Sequence, residues 1–371
     1  MYTPNLPHLE TGTINLCQLY DLGDEIILAS VSKCISKPIA FLQLSVSVRQ
    51  WESISITQPP LQVELETHNI SLFGLELRGV LKASIYNLGA VALTLELPLP
   101  SATPWEIIAQ LMGAIQSPSE SLQAIFSEAI SSLERLIYSA IINPNRSTIV
   151  EDYSILVIEK FREKIAVSTL TDNPQLWEIL LGEKQPLSAY VSKMLTSISY
   201  YQDDLALLSW NGAILIEPDP LAAETALELI EFSNVELLLM RSYDEALDQE
   251  LPRLYRQLPK KRPRFAIPLV RRYSSLLHDV QRLIVEFTEV TERVDNALKV
   301  TDDVYWNRFY SAILNALKVD VWRSGVDHKL AILRQTYSML HDDADAERAT
   351  ALEWTIVVLI LFEIVMAFVR H

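Results

Sequence analysis

One stretch limits what this chain can fold into more than any other. From Leu352 to Val369 it reads Leu-Glu-Trp-Thr-Ile-Val-Val-Leu-Ile-Leu-Phe-Glu-Ile-Val-Met-Ala-Phe-Val, followed by Arg370-His371. As a helix rising ~1.5 Å per residue it spans about 27 Å, just short of the roughly 30 Å hydrocarbon core of a bilayer. Its Leu, Ile, Val and Phe side chains each favour insertion by roughly 0.3–0.6 kcal/mol, while Glu363 opposes it by about 3 kcal/mol. The balance favours insertion, and the sequence predicts a transmembrane helix over 349–371. The same residues also suit a buried helix at a subunit interface. At ~100° per residue, Glu353 and Glu363 lie about 80° apart around the helix and mark one polar edge. Intramembrane acids face protein partners or water, so Glu353 and Glu363, with Trp354 at the interface, are the candidate membrane and oligomerisation residues.

The rest of the chain has ordinary folded composition, 49% hydrophobic and 21% charged over 371 residues, enough for more than one core. A net charge of −16 argues against a protein that grips polyanions over its whole surface. Cys17 and Cys34 form no CxxC pair and neighbour no His, which speaks for a reducing compartment rather than a disulfide framework or zinc site. No basic segment followed by an apolar run leads the chain, so the expected location is a membrane with the body in a bacterial cytoplasm.

Residues 1–145 read as an N-terminal α/β domain. Val63 and Leu65 alternate with Gln62, Glu64 and Glu66, and Leu93, Leu95 and Leu97 alternate with Thr94 and Glu96, as strands with one wet face require. Helical spacing follows over 105–115 and 119–142 (Leu122, Ile125, Ile130, Leu133, Ile137, Ile141). Residues 146–252 read as a second α/β domain, with a strand at 154–158 and a hairpin around Asn211-Gly212. Strand, tight turn, strand, proline and helix occur in that order at 84–115 and again at 205–240, suggesting two copies of one hairpin-plus-helix unit.

Residues 253–269 form a basic, proline-interrupted connector in which Lys260, Lys261, Arg262 and Arg264 are candidate anion contacts, to lipid headgroups or RNA phosphates. Over 270–348 a heptad series (Val270, Tyr273, Leu277, Val280, Ile284, Phe287, Thr291, Val294, Leu298, Thr301, Tyr305) and a second one (Val326, Leu330, Leu333, Tyr337, Leu340) predict a long antiparallel helical hairpin with coiled-coil-like packing. The fold class is therefore α+β: an α/β body, a helical hairpin and a transmembrane helix.

The order Asp303-Val304-Tyr305-Trp306, Tyr310, Arg323, Val326, Lys329-Leu330 and then Leu352-Glu353-Trp354 with Ile356 to Ile360 and Glu363 resembles the family called required for meiotic nuclear division, in its bacterial form. Tyr200-Tyr201, Leu237-Leu238, Arg241, Tyr243, Asp244-Glu245 and Leu247-Asp248 are similar as well. The resemblance covers roughly 150–371. It implies an α/β body, a helical hairpin and a C-terminal membrane helix, with no established catalytic activity. Mitochondrial relatives are linked to organising translation at the inner membrane.

No phosphate-binding, zinc-hydrolase or serine-hydrolase motif occurs, and the histidines are scattered, so no cofactor is expected. Asp244 and Asp248, one helical turn apart with Glu245 and Glu250 beside them, are weak candidates for a divalent cation, Asp203-Asp204 being further acids to add; acids at this spacing also make a solvated helix face. Arg241 stands at helical ion-pair spacing from Asp244 and Glu245. The function expected from the residues is a non-enzymatic, self-associating membrane scaffold whose partners are membrane lipid, copies of itself and an unidentified protein. The alternatives are a membrane-tethered RNA or ribosome binder acting through the connector, and a metal-dependent hydrolase.

Overall fold

The computed structural model describes residues 6–35, 39–41, 54–56, 58–116, 120–171, 173–183, 185, 187–188, 195–257, 270–296, 298–300 and 304–369. It divides into two compact units: Met1–Ser242 with Arg293–Trp322, and Tyr243–Glu292 with Arg323–His371. In chain order the elements of the body are β1 (Leu9–Asp21), β2 (Gly23–Ile26), α1 (Leu28–Cys34), β3 (Ile39–Phe41), β4 (Ile54–Ile56), β5 (Leu61–Leu72), β6 (Leu75–Ile85), β7 (Ala90–Pro98), α2 (Trp105–Gln116), α3 (Glu120–Ile137), β8 (Ile141–Pro144) and β9 (Val150–Phe161). There follow α4 (Pro174–Leu181), β10 (Thr196–Ile198), β11 (Leu205–Leu208), β12 (Gly212–Ile216), α5 (Pro220–Gln257), α6 (Val270–Asp295), β13 (Leu298–Val300), α7 (Val304–Leu317) and α8 (Val319–Val369).

The first unit is built on a nine-stranded sheet ordered β10-β11-β12-β9-β1-β7-β6-β5-β3. Its pairings are antiparallel except β12 on β9, where Gly212 lies opposite Ser154 and Ile216 opposite Ile158. The sequence expectation divided the body at 145, yet strands from both sides of that point share this sheet. Their join is β1, pairing with β7 on one edge and β9 on the other. Ile14 to Asp21 of β1 is buried at every position, so it lacks the two-residue alternation that marks a half-wet strand. Alternation survives toward the edge: Val63 is buried between exposed or half-buried Gln62 and Glu64, and Leu93, Leu95 and Leu97 are buried while Thr94 and Glu96 are only half-buried.

Both hairpin-plus-helix units are present, and their helices go to opposite faces. Leu93, Leu95 and Leu97 of β7 share a core with Ile108, Leu111 and Met112 of α2 and Phe126, Ile130 and Leu133 of α3. On the other face, Thr94 Oγ1 and Tyr86 Oη donate to Glu231 of α5 at 3.1 and 2.8 Å, and the Tyr86 and Phe232 rings are 6.1 Å apart. Burial raises the Glu231 carboxyl above the usual range. Helix starts follow capping chemistry: Asn173 accepts from Gln175 N at 3.0 Å ahead of α4, and Asp219 accepts from Leu221 N at 3.0 Å ahead of α5, each followed by a first-turn proline.

Two further expectations are corrected. The α-helix expected to reach 142 ends at Ile137 and gives way to a 3-10 turn over Tyr138–Ala140, because β-branched Ile141-Ile142 pairs as β8 with β2, and Asn143 at φ 47 and Pro144 close the segment. The heptad series from Val270 to Tyr305 is not one helix. It stops at Asp295, β13 pairs with β4, and α7 begins at Val304.

In the second unit, Leu276, Val280, Leu283 and Phe287 of α6 share a core with Val326, Leu330, Leu333 and Leu340 of α8, and also with Leu247 and Leu254 of α5. The third helix explains the breadth of the α6 stripe. Leu276 and Leu283 are buried in addition to heptad positions Val280 and Phe287, because two neighbours demand a wider apolar face than one coiled-coil seam.

Candidate functional site

In the first unit, a cavity of about 830 Å³ opens where the start of β9, the β11–β12 turn, α5 and the α7–α8 junction meet. Tyr153, fully buried in β9, donates from Oη to the carbonyls of Ser209 and Gly212 at 3.0 and 2.8 Å, tying the turn down. Gly212 is required there, since a Cβ would stand 2.8 Å from the Ser154 carbonyl oxygen. The turn so held presents Trp210, 70% exposed, at the rim.

Arg241 of α5 is the central polar group. Its Nη1 donates to Glu151 Oε1, its guanidinium carbon lies 5.2 Å from the Trp322 ring centroid, and its Nε is buried without a hydrogen-bond partner. Burial pushes the Glu151 carboxyl up to about 7 although Arg241 and its hydrogen bond pull the other way. Asp152 beside it is also raised, again by burial first. Helical spacing suggested Arg241 as the partner of Asp244 and Glu245; its ion pair is instead with Glu151, ninety residues away.

Asp244 and Asp248 hold an ammonium. Lys329 Nζ lies 2.6 Å from Asp244 Oδ1 and 2.6 Å from Asp248 Oδ1, and also donates to the Asp244 carbonyl at 3.1 Å. Burial works against the Lys329 charge, yet the bonds and charges of the two carboxylates outweigh it and raise its pKa. Gly325 makes room for this clamp, because its Cβ would stand 3.1 Å from Asp244 Oδ1. Among the described residues no group of three or more His, Cys, Asp or Glu side chains is placed to hold a metal. Asp204, in the first unit, is spent on structure: Oδ1 accepts from the backbone of Tyr200 and Tyr201 at 2.7 and 3.1 Å. Lys260, Lys261, Arg262 and Arg264 lie outside the described residues.

Glu353, Trp354 and Glu363 stand on α8, one helix of 51 residues that continues from the second core into the apolar tail. Every side chain from Leu352 to Met366 is exposed, Leu352 at 66% and Phe362 at 62%. The helix is long and apolar enough to cross a membrane, with a mean hydropathy of 2.0 over its best window and none of that window buried. Thr350 and Thr355 return their hydroxyls to the carbonyls of Ala346 and Ala351 at 2.9 and 2.8 Å, so neither brings an unsatisfied donor to the surface.

The sequence analysis did not single out Glu151, Trp322 or Lys318. The available signal was an acid pair, Glu151-Asp152, leading into the apolar run Ile155 to Ile158. The partners of that pair come from positions near 210, 241 and 320, a distance in sequence that no local pattern spans.

No solved structure matches the chain. It is similar to "Uncharacterized protein MJ0711" of Methanocaldococcus jannaschii, at 23% identity over 255 residues, which covers 68% of this chain and 74% of that one. The profile described as "Uncharacterized protein MJ0711, N-terminal domain" matches residues 11–222, more than half the chain, from within β1 to the first residues of α5. The chain therefore belongs to the family of that domain.

Proposed function

We propose that this protein is a membrane-anchored scaffold: α8 crosses the bilayer, and the sheet-based unit is held in the cytoplasm as a partner-binding body. The observation that carries the reading is the exposure of every side chain from Leu352 to Met366. An apolar helix of this length with no protein against it gains stability only by leaving water, at ~25 cal/mol per Å² of apolar surface removed. Two free cysteines, one buried and one half-buried, accord with a reducing compartment around the body. The resemblance of 303–363 to the proteins required for meiotic nuclear division supports the same reading, since that family has a C-terminal membrane helix.

Self-association is part of the proposal. Glu353 and Glu363 share one edge of an otherwise apolar helix, and an acid in hydrocarbon is best satisfied by facing the same edge of another copy. Fusing residues 349–371 to a soluble carrier tests the anchor and the association together. The fusion is expected in the membrane fraction and as an oligomer in mild detergent, with Glu363→Leu keeping it in the membrane while dissociating the oligomer. A soluble fusion overturns the anchor; an unchanged oligomer in Glu363→Leu overturns the role of the acidic edge.

A further inference from the structure

The cavity beside Arg241 has no part in the membrane anchor, and its lining has an excess of donors. Arg241 offers five N–H groups, and its hydrogen bond to Glu151 engages only one carboxylate oxygen. Lys318 and Asn315 line the same space, and neither side chain has a hydrogen-bond or ion-pair partner among the described residues. Asn211 turns its Oδ1 to Ser209 Oγ at 3.1 Å, leaving its amide N–H groups as donors. The acceptors are fewer: Glu151 is already paired with Arg241, and Asp152, the Thr196 hydroxyl and the Asn315 amide oxygen remain. A cavity of about 830 Å³ is of the size that takes a small molecule, roughly 300–1,000 Å³. Its donors call for an anion rich in acceptor oxygens, and an exposed indole on its rim calls for a flat ring.

We propose that this cavity binds a nucleoside monophosphate: Arg241 and Lys318 take the phosphate, Trp210 stacks the base, and Asp152 accepts from a ribose hydroxyl. Arg241 is preset for this. Its stacking on Trp322 and its bond to Glu151 hold the guanidinium plane in place before a ligand arrives, so little rotamer freedom is lost on binding. Lys318 is held by the backbone: its φ of 55 ends α7, where its N–H bonds the Asn315 carbonyl at 3.2 Å. The proposal rests on the first unit alone and stands or falls separately from the membrane anchor.

The test is calorimetric titration of the full chain in detergent micelles with AMP, UMP, adenosine and inorganic phosphate. AMP and UMP are expected to bind saturably, with adenosine and phosphate each at least about tenfold weaker because one lacks the anion and the other the ring. Lys318→Gln and Trp210→Ala alter exposed side chains and leave the fold intact; each is expected to weaken AMP about five- to tenfold. Arg241→Gln is expected to abolish binding, with unfolding followed in parallel because it strands the Glu151 carboxylate. No saturable heat with either nucleotide at millimolar concentration overturns the proposal. So does phosphate binding as tightly as AMP, or AMP binding unchanged in both Lys318→Gln and Trp210→Ala.

Discussion

Three glycine-to-alanine changes separate the conformational and steric demands of this fold. Gly113 lies inside α2 with nothing within 4 Å of an added Cβ, so Gly113→Ala is expected to stabilise by about 1 kcal/mol, the helix-propensity difference. Gly74 has equally open surroundings but φ +78 in the β5–β6 turn. The left-handed cost of ~1–2 kcal/mol, reduced by the stiffer unfolded chain, leaves Gly74→Ala about 1 kcal/mol destabilising. Gly89 has φ +87 in the β6–β7 turn, and its Cβ would stand 1.8 Å from the backbone oxygen of Gly23. That oxygen cannot turn aside like a flexible side chain. The two segments are tied by Leu22 N to Gly89 O at 3.0 Å and Ile26 N to Asn87 O at 3.1 Å, so relieving the clash strains or breaks these bonds. Adding ~1–3 kcal/mol for the clash and about 1 kcal/mol for a lost bond gives Gly89→Ala a cost of about 3–5 kcal/mol. Unfolding of the full chain in mild detergent, followed by tryptophan emission and circular dichroism across a urea series, measures all three. Equal costs for Gly74→Ala and Gly89→Ala would refute the close approach of the β1–β2 and β6–β7 corners.

Lys329→Met leaves Asp244 and Asp248 repelling one another without their shared cation and is expected to cost about 2 kcal/mol, while Asp248→Asn, at an exposed carboxylate, costs under about 1 kcal/mol; urea unfolding distinguishes the two. Burial raises Glu228 from the ordinary 4.5 to about 8, and its Oε2 is buried without a partner. Between those values the folded state keeps a proton that the unfolded chain releases, so stability is greatest at the acid end of the window and falls as pH rises toward about 8. Melting temperatures across that range should decline less steeply in Glu228→Gln, and parallel curves for the two proteins would contradict the assignment. Phe73, at φ 51 in a two-residue hairpin turn, occupies a position that asparagine tolerates better, so Phe73→Asn is expected to raise stability by about 0.5–1 kcal/mol in the same unfolding assay.

What the sequence disclosed was what depends on near neighbours. The alternation of Val63 and Leu93 to Leu97, the turns at Asn87 and Asn211, and the apolar run after Leu352 all reappear as elements, because each is set by spacing within a few residues. β1 was not legible as the join of one large sheet, since a strand covered on both faces carries no periodic mark of its neighbours. The break after Asp295 was hidden for a related reason: apolar residues at heptad spacing continue through Leu298 and Tyr305, while strand pairing with Ile54–Ile56 takes the intervening residues out of the helix. Asp244 and Asp248 were recognised as a pair, but their ammonium comes from Lys329, more than eighty residues on. The cavity around Arg241 was the least legible part, because segments far apart in sequence, from Val150 to Trp322, meet there.

The central claim is that α8 ends in a bilayer, and alkaline carbonate washing of membranes from cells expressing the full chain or residues 1–348 tests it most directly. The account predicts that the full chain stays in the washed membrane pellet while the shortened chain is recovered in the supernatant. Recovery of both in the supernatant would contradict it and make Leu352 to Val369 a helix covered by protein.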